Sequence, residues 1–397
     1  MQPLSVSASA VVSAMGRGAA MTLTALRNRA GGLRPCDFAD VTGGYIGRVE
    51  GLEAHRLAPT LARFDCRNNR LADLALRTDG FAEAVAAARE AYGPARIAVV
   101  LGTSTSGILA GEDAYRECDV ETGALADAFD YEHTQDLFSL GGFVRAALGL
   151  SGPAFAVSTA CASSARAFVD AHHLIESGVC DAAVVGGVDS LCRMTLRGFA
   201  ALDLISPDPC RPCDAARAGI SIGEAGGFAL LERPGARARM EGGLVLLGCG
   251  TTSDGYHMSA PHPRGAGAIG AMEAALSSAG LEPGAIDYIN LHGTGTRAND
   301  AMEDVAVSGV FGTSVPCSST KAWSGHTLGA SGILEAIVAG LCIRHGFLPG
   351  CLGVERVDPA FRANVLVGNA QGPVHRVISN SFGFGGANCS LIFGEAG

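Results

Sequence analysis

Short apolar runs alternate with longer segments rich in Ala and Leu along the whole chain, and this alternation predicts the secondary structure. In the first half it predicts strands at 4–12, 97–101, 155–157, 182–186 and 228–232, and helices at 17–30, 63–92 and 162–177. In the second half it predicts strands at 244–249, 286–291, 315–318, 375–379 and 389–393, and helices at 267–280, 300–310 and 329–345. Strands that alternate with helices in this way favour an α/β fold with largely parallel sheets.

A polar link at 233–243, which contains Gly and Pro, separates the two series of elements. We therefore predict an N-terminal half, residues 1–236, and a C-terminal half, residues 237–397. No sequence repeat accompanies this division, so the residues alone do not indicate a duplication.

Composition narrows the classes of function. The 397 residues are 48% apolar and carry a formal net charge of −10, which favours a large core and disfavours nucleic acid as a partner. The thirteen cysteines have no framework spacing, and the apolar N-terminus lacks the basic region of a secretory signal. No run reaches the roughly 18 uninterrupted apolar residues of a membrane span. We predict a cytoplasmic protein with free thiols.

The stretch FAVSTACASSARAF at 155–168 places Cys161 where a predicted strand turns into a predicted helix. Backbone N–H groups and the positive end of a helix dipole at such a junction lower the pKa of a thiol and favour the thiolate. A thiolate there is a nucleophile for acyl groups. The alternative is that Cys161 is one more buried small side chain, which is what most cysteines are.

Three polar stretches follow apolar strands in the second half of the chain. They contain His292, then Lys321 with His326, then the Gly-rich turn 383–386. Taken singly, each has a structural explanation: a satisfied buried histidine, a surface lysine, a plain hairpin turn. Because the carboxyl ends of strands in an α/β sheet converge on one crevice, we expect these stretches to meet Cys161 in one catalytic site.

Two spacings resemble metal sites, but neither predicts one. Cys210 and Cys213 have the two-residue gap of half a zinc knuckle, and no second pair lies at a matching distance. His257 and His262 lack a third ligand to which the sequence points. The turn 383–386 lacks the spacing and the following helix of a dinucleotide-binding loop. We expect no metal and no cofactor.

Six stretches, in this order, resemble the β-ketoacyl-acyl-carrier-protein synthases of the thiolase superfamily, the elongating condensing enzymes of fatty-acid and polyketide synthesis. They are STACASS around Cys161, RPCDAARAG–GEAGG at 211–227, SDGYHMSAP at 253–261, HGTGT–ND–E at 292–303, STK–GH–GA–G–E at 319–335 and NSFGFGGAN at 380–388. The resemblance implies a five-layer αβαβα thiolase fold of two similar halves, normally a homodimer. The implied partner is an acyl carrier protein, whose phosphopantetheine arm delivers acyl and malonyl groups.

The family pattern implies a mechanism and assigns residues to it. The acyl group passes to Cys161, and the enolate left by decarboxylation of malonyl-carrier then attacks the acyl-Cys carbonyl. Donors that face the developing oxyanions stabilise both steps. By this resemblance, oxyanions are stabilised by His292, His326 and the backbone N–H groups of Cys161 and Phe384. Lys321 supplies a fixed positive charge and is held by Glu335, while Asp300 and Glu303 support the His292 loop. Thr294 and Thr296 contact the pantetheine arm, and Phe384 is the acyl gate.

The resemblance also places Thr105 and Phe199 in the acyl pocket. A small polar floor at Thr105 indicates an unusual chain, conjugated or aromatic rather than saturated. One departure puts the carrier contacts in doubt, because Asp203 stands where elongating relatives often carry Arg. Docking of an acidic carrier is expected at Arg63, Arg67 and Arg70. The alternative is that these arginines form an ordinary solvated helix face.

Three functions compete. An active condensing enzyme of fatty-acid, polyketide or aryl-polyene synthesis needs Cys161, His292 and His326, and all are present. A chain-length-factor-like partner of another synthase typically lacks the nucleophile, so Cys161 disfavours it, while a heterodimer with such a silent subunit stays open. A CoA-dependent thiolase needs a second catalytic cysteine near the C-terminus, and Cys389 lies inside a predicted strand rather than in a Gly-rich turn.

Overall fold

The computed structural model describes residues 1–38, 40–41, 43–235 and 243–395. Its strands are β1 (Leu4–Ser13), β2 (Gly16–Arg17), β3 (Leu33–Pro35), β4 (Tyr45–Gly47), β5 (Ile97–Gly102), β6 (Ala154–Val157), β7 (Ala182–Asp189), β8 (Ile222–Gly223), β9 (Ala225–Glu232), β10 (Leu244–Ser253), β11 (Tyr288–Asn290), β12 (Pro316–Ser318), β13 (Phe347–Leu348), β14 (Asn364–Val365), β15 (Ala370–Gln371), β16 (Arg376–Phe382) and β17 (Ala387–Glu395). Its α-helices are α1 (Ala19–Arg27), α2 (Arg67–Leu76), α3 (Phe81–Tyr92), α4 (Ile108–Arg116), α5 (Tyr131–Thr134), α6 (Ser139–Leu148), α7 (Ser163–Glu176), α8 (Arg193–Ala201), α9 (Ala266–Ala279), α10 (Arg297–Phe311), α11 (Lys321–Ser324) and α12 (Ser331–His345).

The main sheet has the strand order β14-β12-β11-β16-β17-β10-β1-β9-β7-β5-β6, with β2 paired to β1. Two portions of it meet where the first residues of β1 pair with the first residues of β10. The pairs of β5 with β6 and β7, and of β11 with β12 and β16, are parallel. The pairs around β1, β9, β10 and β17 are antiparallel. The prediction of largely parallel sheets is therefore wrong in the centre, since a tight turn such as that between β16 and β17 permits only antiparallel pairing.

Two helices lie between the two portions of the sheet. Helix α7 contacts β5, β7 and β17, while α12 contacts β9, β16 and β17. On the far side of the first portion α2, α3 and α6 pack against β9, β1 and β5, and α9 covers β10 and β17 of the second portion with α10 beside it. The layers thus alternate helix, sheet, helix, sheet, helix.

The central helix α12 and the turn before it form the segment Leu328–His345, which has the length and composition of a membrane span. Its mean hydropathy is 1.3, but 83% of it is buried inside the protein. Ile333, Val338 and Cys342 are fully buried in the main core cluster. Since both portions of the sheet cover this helix, its apolar character on all sides is that of a core helix.

Two sequence predictions about segments need comment. The helix predicted at 63–92 is wrong, because α2 and α3 are separate. Between them Asp79 and Gly80 adopt left-handed φ values of 55° and 70°, which a right-handed helix does not contain. The predicted boundary between residues 236 and 237 lies outside the described residues, so the division into halves stays a prediction.

A glycine sets the distance between α7 and α12. A Cβ on Gly332 would lie 2.5 Å from the backbone nitrogen of Ala165 and 2.9 Å from its Cα. Because these atoms are backbone in the core, Gly332→Ala must push the two helices apart. We expect the free energy of unfolding to fall by about 1–3 kcal/mol in urea titrations.

The matched control is Gly309→Ala in α10, where nothing lies within 4 Å of the added Cβ. An exposed helical Gly→Ala change should leave stability unchanged or raise it by up to about 1 kcal/mol. Equal shifts for the two variants would show that the helix contact tolerates a methyl group.

Candidate active site

A cavity of about 520 Å³ leads from the surface to the start of α7. Its inner residues are buried and its rim residues are exposed. The inner lining includes Cys161, His292, His326 and Phe382; the rim includes Asp203, His257, Arg297 and Phe384; and Phe199, Arg217, Thr294 and Thr296 lie along the wall.

Cys161 occupies a short 3₁₀ turn, Ala160–Ala162, that runs directly into α7. The strand-to-helix junction predicted from the sequence is therefore present. The Cys161 Sγ lies 3.0 Å from Nε2 of His326. The backbone N–H groups of Phe384 and of Cys161 itself also face the thiol.

The predicted lowering of the thiol pKa is wrong. Burial raises the pKa of Cys161 to about 11, although the charge of Lys321 and the N–H of Phe384 act in the opposite direction. The helix does begin at the thiol, but removal from water disfavours the thiolate by more than these groups favour it. The resting enzyme consequently carries a thiol, which loses its proton during attack.

This leads to a prediction about alkylation. We expect the rate at which iodoacetamide modifies the Cys161 peptide to keep rising above pH 9, because only the thiolate reacts and the raised pKa keeps its fraction low. Lys321→Ala should slow modification further, since it removes the strongest influence that lowers this pKa. Peptide mass spectrometry between pH 6 and pH 10 measures both; a plateau reached below pH 8 would contradict the raised pKa.

The two histidines are neutral and lie edge to face, with ring centroids 5.3 Å apart. Burial, and then the charge of Lys321, holds the pKa of each well below its ordinary value. The Ser331 hydroxyl lies 3.0 Å from Nδ1 of His326, and the backbone N–H of Leu328 donates to the same atom at 3.3 Å. The Lys321 ammonium lies 3.5 Å from Nδ1 of His292. With a donor facing each Nδ1, we assign the ring protons to the Nε2 atoms.

The same protonation pattern bears on metal binding. Cys161 Sγ and one nitrogen each of His292 and His326 lie within 4.8 Å of one another, a spacing that could hold an ion. Metal-bound imidazoles usually donate the N–H of their other nitrogen to an acceptor. Here donors face both Nδ1 atoms, so the trio is better suited to an anion held by two N–H groups.

Lys321 is buried and paired. Its Nζ donates to Oε1 of Glu335 and to the carbonyl oxygen of His292, both at 2.5 Å. Only 2% of Lys321 and 1% of Glu335 are exposed, which excludes a surface role for this lysine. Burial raises the pKa of Glu335 to about 7, even though Lys321 acts in the opposite direction.

Two acidic residues of α10 hold the loop that carries His292. The N–H groups of His292 and Gly293 donate to Glu303 at 2.7 Å. Asp300 accepts the N–H groups of Thr294 and Gly295 at 3.0 and 3.1 Å. Burial raises the pKa of Glu303 to about 7, against the N–H groups of Gly293 and His292. Burial also raises the pKa of Asp300, against the N–H of Cys213 and the side chain of Asn299.

The Gly-rich turn between β16 and β17 packs directly on the nucleophile. A Cβ on Gly383 would lie 2.8 Å from the carbonyl oxygen of Thr159 and 3.2 Å from the nitrogen of Cys161, so a side chain here would separate turn and thiol. Phe384, next in the turn, is 36% exposed, and its ring centroid lies 5.7 Å from that of Phe199. These two rings thus meet at the cavity.

Thr105 is held by a buried hydrogen bond. It is fully buried, and its hydroxyl donates to Oδ1 of Asp189 at 2.9 Å. It is absent from the described lining of the cavity, whereas Phe199 is present. Because Asp189 takes up the Thr105 hydroxyl, nothing here supports a polar pocket floor at Thr105; that floor, and the unusual acyl chain inferred from it, stay predictions.

The three arginines expected to dock a carrier do not form an open basic face. Arg67 donates to the buried Glu224 at 2.6 and 2.8 Å, and its side chain is only 9% exposed. Arg70 pairs with Asp65 at 2.5 Å, and Arg63 lies over the ring of Phe64. The docking prediction is wrong for Arg67, because an ion pair with a residue 157 positions away consumes its guanidinium.

Sequence reasoning missed Arg297 as a residue of the cavity rim. The available signal was its position directly after Thr296, at the start of α10. The cysteine pair that resembled half a zinc site has structural contacts instead. Cys210 Sγ lies 3.4 Å from the carbonyl oxygen of Lys321, and the Cys213 N–H donates to Asp300.

Fold and site together define a class of protein, the ketosynthases of thiolase-like fold. Residues 60–235 match the family described as the N-terminal domain of beta-ketoacyl synthase, and residues 244–355 match its C-terminal domain. The chain is 35% identical over 306 residues to nodulation protein E of Rhizobium meliloti, covering 75% of each protein. It is 33% identical over 361 residues to 3-oxoacyl-[acyl-carrier-protein] synthase 2 of Staphylococcus aureus, covering 85% of this chain and 89% of that protein.

Solved structures agree. A ketosynthase (ApeO) in complex with its chain length factor (ApeC) from Xenorhabdus doucetiae matches with a TM-score of 0.89 at 38% identity, over 100% of this chain and 98% of that one. The ishigamide ketosynthase/chain length factor matches with a TM-score of 0.91 at 27% identity, over 100% of both chains. The chain belongs to the β-ketoacyl synthase family. It is a condensing enzyme of fatty-acid or polyketide biosynthesis, an acyltransferase, as the sequence predicted.

Proposed function

We propose that the chain is the catalytic subunit of a ketosynthase that pairs with a chain-length-factor-like subunit and elongates carrier-bound acyl chains with malonyl units. The observation that carries the proposal is the intact trio of Cys161, His292 and His326 at the inner end of one cavity. A silent partner subunit has no use for a nucleophile that contacts an imidazole at 3.0 Å. A thiolase is disfavoured because Cys389 is buried within β17 and is absent from the described lining.

The first step is acyl transfer. Cys161 Sγ attacks the thioester carbonyl, a carbon–sulfur bond forms, and the pantetheine sulfur leaves with the proton that the thiol gives up. The backbone N–H groups of Cys161 and Phe384 face the sulfur and would donate to the oxyanion of the intermediate. Such donors cost no reorganisation during the reaction, because the Gly-rich turn already holds them against the thiol.

The second step is decarboxylative condensation. The thioester oxygen of malonyl-carrier would lie between the two Nε2–H groups, which stabilise the enolate as CO₂ leaves. The enolate carbon then attacks the acyl carbonyl and expels the Cys161 sulfur. Lys321 adds a fixed positive charge behind His292, and Glu335 holds it in place. Asp300 and Glu303 fix the loop.

We assign the pantetheine arm to Thr294 and Thr296, whose hydroxyls are 2.9 Å apart on the cavity wall. Phe384 would act as the acyl gate against Phe199, the acyl-pocket candidate that lines the cavity. Arg297 is exposed at the rim and is the basic group best placed to bind the phosphate of the arm. Asp203, on the same rim, carries the opposite charge.

This assignment gives a kinetic prediction. Arg297→Ala should raise KM for an acyl-phosphopantetheine substrate roughly fivefold, the strength of an exposed ion pair, and should leave kcat unchanged. KM for the corresponding acyl-pantetheine, which lacks the phosphate, is the control and should not move. Arg297→Lys should restore most of the loss. Equal effects on both substrates would rule out a phosphate contact.

We place the second chain at the open edge of β6. This strand pairs with β5, and in the described part of the chain its other edge is unpaired. Phe155 in β6 is 48% exposed, and Leu137 and Phe138 on the segment before it are also exposed. An apolar open edge favours pairing with another sheet. The two structural relatives described above, both ketosynthases with chain length factors, support a heterodimer over a homodimer.

The test combines assembly with turnover. Two samples are prepared: the chain purified alone, and the chain co-expressed with a chain-length-factor-like subunit from the same source. The mass of each sample is measured in solution. Each is then given malonyl-carrier together with acyl-carriers of different length and unsaturation. We expect a one-to-one complex that elongates and a lone chain that does not. A stable homodimer with full elongation would replace the heterodimer, and a folded complex that neither acylates nor decarboxylates would overturn the function.

We also place the protein in the cytoplasm, since all thirteen cysteines are free.

A further inference from the structure

One buried carboxylate outside the cavity lining connects the two turns that carry the nucleophile and His326. Asp189 ends β7 and is fully buried. Its Oδ1 accepts the hydroxyl of Thr103 at 2.8 Å, the N–H of Ser104 at 2.8 Å, and both the N–H and the hydroxyl of Thr105 at 2.8 and 2.9 Å. Its Oδ2 accepts the N–H of Gly329 at 2.6 Å.

All of these groups donate. The Thr103 hydroxyl oxygen accepts the N–H of Ser106 at 2.9 Å, and the Thr105 hydroxyl oxygen accepts the N–H of Ser190 at 3.2 Å. Each hydroxyl hydrogen is therefore free to point at the carboxylate. Burial raises the pKa of Asp189, while the donors around it act in the opposite direction and favour the ionised form.

The donors to this carboxylate are connected to both reacting groups, to His326 on one side and to Cys161 on the other. Gly329 follows Leu328, whose N–H donates to Nδ1 of His326 and places the ring proton on Nε2. On the other side the hydroxyl of Ser104 donates to the carbonyl oxygen of Ala160 at 3.3 Å, and Ala160 precedes the nucleophile. The two turns also touch each other: a Cβ on Gly329 would lie 2.7 Å from Asp189 and 2.9 Å from the Ser104 hydroxyl.

The backbone of these turns is strained. Seven described non-glycine residues have positive φ, and three of them lie here: Ser106 at 42°, Ala160 at 50° and Leu328 at 51°. A left-handed conformation costs about 1–2 kcal/mol for a residue with a Cβ and persists only where the surroundings enforce it. The hydrogen bonds to Asp189 hold Gly329, which follows Leu328, and Ser104, whose hydroxyl donates to the carbonyl oxygen of Ala160.

We propose that Asp189 is a positioning residue that locks the Cys161 turn and the His326 turn into one strained arrangement, with Nε2–H of His326 aimed at the nucleophile. The inference rests on the roles proposed above for Cys161 and His326. It adds a group that touches neither substrate nor the reacting atoms. Asp189 also places a negative charge near the thiol, and that charge helps to raise the pKa of Cys161.

The two effects of Asp189 allow a test. Asp189→Asn keeps the shape, removes the charge and turns one acceptor into a donor that faces other donors. We expect malonyl-carrier decarboxylation to slow by about 10- to 100-fold, because His326 is no longer held in place. We expect the pH profile for iodoacetamide modification of Cys161 to shift to lower pH at the same time, because the nearby negative charge is gone. The alkylation profile reports the loss of the charge, whereas the rate of decarboxylation reports the loss of positioning.

The matched control is Asp214→Asn. Asp214 is also buried and accepts backbone N–H groups, from Ala216, Glu355 and Arg356 at 2.7, 2.8 and 3.1 Å, but none of these donors belongs to the Cys161 turn or the His326 turn. We expect this variant to lose stability while keeping decarboxylation and the alkylation profile. The proposal would be overturned if both variants lost the same stability and the same decarboxylation activity. It would also be overturned if Asp189→Asn decarboxylated malonyl-carrier at the normal rate.

Ser104→Ala is the second variant, in case Asp189→Asn does not fold. It leaves all five bonds to the carboxylate in place and removes only the contact with Ala160, so acylation should slow severalfold while decarboxylation stays unchanged. Unchanged acylation would overturn the link to the nucleophile. Alkylation of Cys161 needs no carrier protein. An Asp189→Asn variant whose alkylation profile does not shift therefore counts against the role of Asp189. A wild-type chain that fails to elongate counts only against the proposed function.

Discussion

Cys161→Ala should abolish self-acylation by acyl-carriers, with a loss of at least about 10³-fold, while malonyl-carrier decarboxylation continues. The nucleophile is needed only to hold the acyl group. The two Nε2–H groups that stabilise the enolate come from His292 and His326, whose positions depend on Leu328, Lys321 and backbone contacts rather than on the thiol. The acyl-enzyme is followed by intact mass and by the mass of the Cys161 peptide, and decarboxylation by released CO₂.

Cys389→Ala is the control that separates the condensing enzyme from the thiolase. Cys389 is buried within β17, and a change to Ala removes one small side chain from the core. We expect normal acylation and normal condensation. Loss of condensation in Cys389→Ala at unchanged stability would revive a two-cysteine mechanism, and acylation that persists in Cys161→Ala would show that another group is the nucleophile.

The convergence of Cys161, His292 and His326 could be predicted from the sequence, because each follows a strand and strand ends share one edge of a sheet. The protonation states of these three side chains could not be predicted from the sequence. Whether a helix start lowers the pKa of a thiol depends on how much water the fold removes from it, and the sequence does not show that. Here the thiol is 6% exposed, and the effect of burial is the larger one.

Long-range partners decided the other errors. Arg67 appears as part of a basic helix face until the fold brings Glu224 to it from 157 residues away. The sequence likewise gives no sign that Asp189, 84 residues on, accepts both the backbone N–H and the hydroxyl of Thr105. Both partners are buried carboxylates that organise turns, and a motif search has no signal for them. Local patterns therefore indicate which residues react, whereas distant contacts decide how those residues are held.

His292→Ala should slow malonyl-carrier decarboxylation by about 10²–10³-fold, the loss expected when one donor to a developing oxyanion is removed. Acylation of Cys161 should change little, because the contact at 3.0 Å to Sγ comes from His326. His326→Ala should slow both steps. CO₂ release and the mass of the acyl-enzyme report the two steps separately, and His375→Ala, at an exposed histidine paired with Glu395, should affect neither.

The conservative variant His292→Gln distinguishes a donor from a base. The side-chain amide of Gln offers an N–H near the position of the imidazole Nε2 and has no useful basicity, so a donor role predicts partial recovery of decarboxylation. If His292 instead removed a proton, Gln would be as inactive as Ala. Burial and Lys321 hold the pKa of His292 well below its ordinary value, so the ring is neutral across the physiological range. His292 should accordingly gain no proton between pH 8 and pH 6, and any change of the wild-type rate in that range should come from Glu303 or Glu335, whose pKa values are about 7.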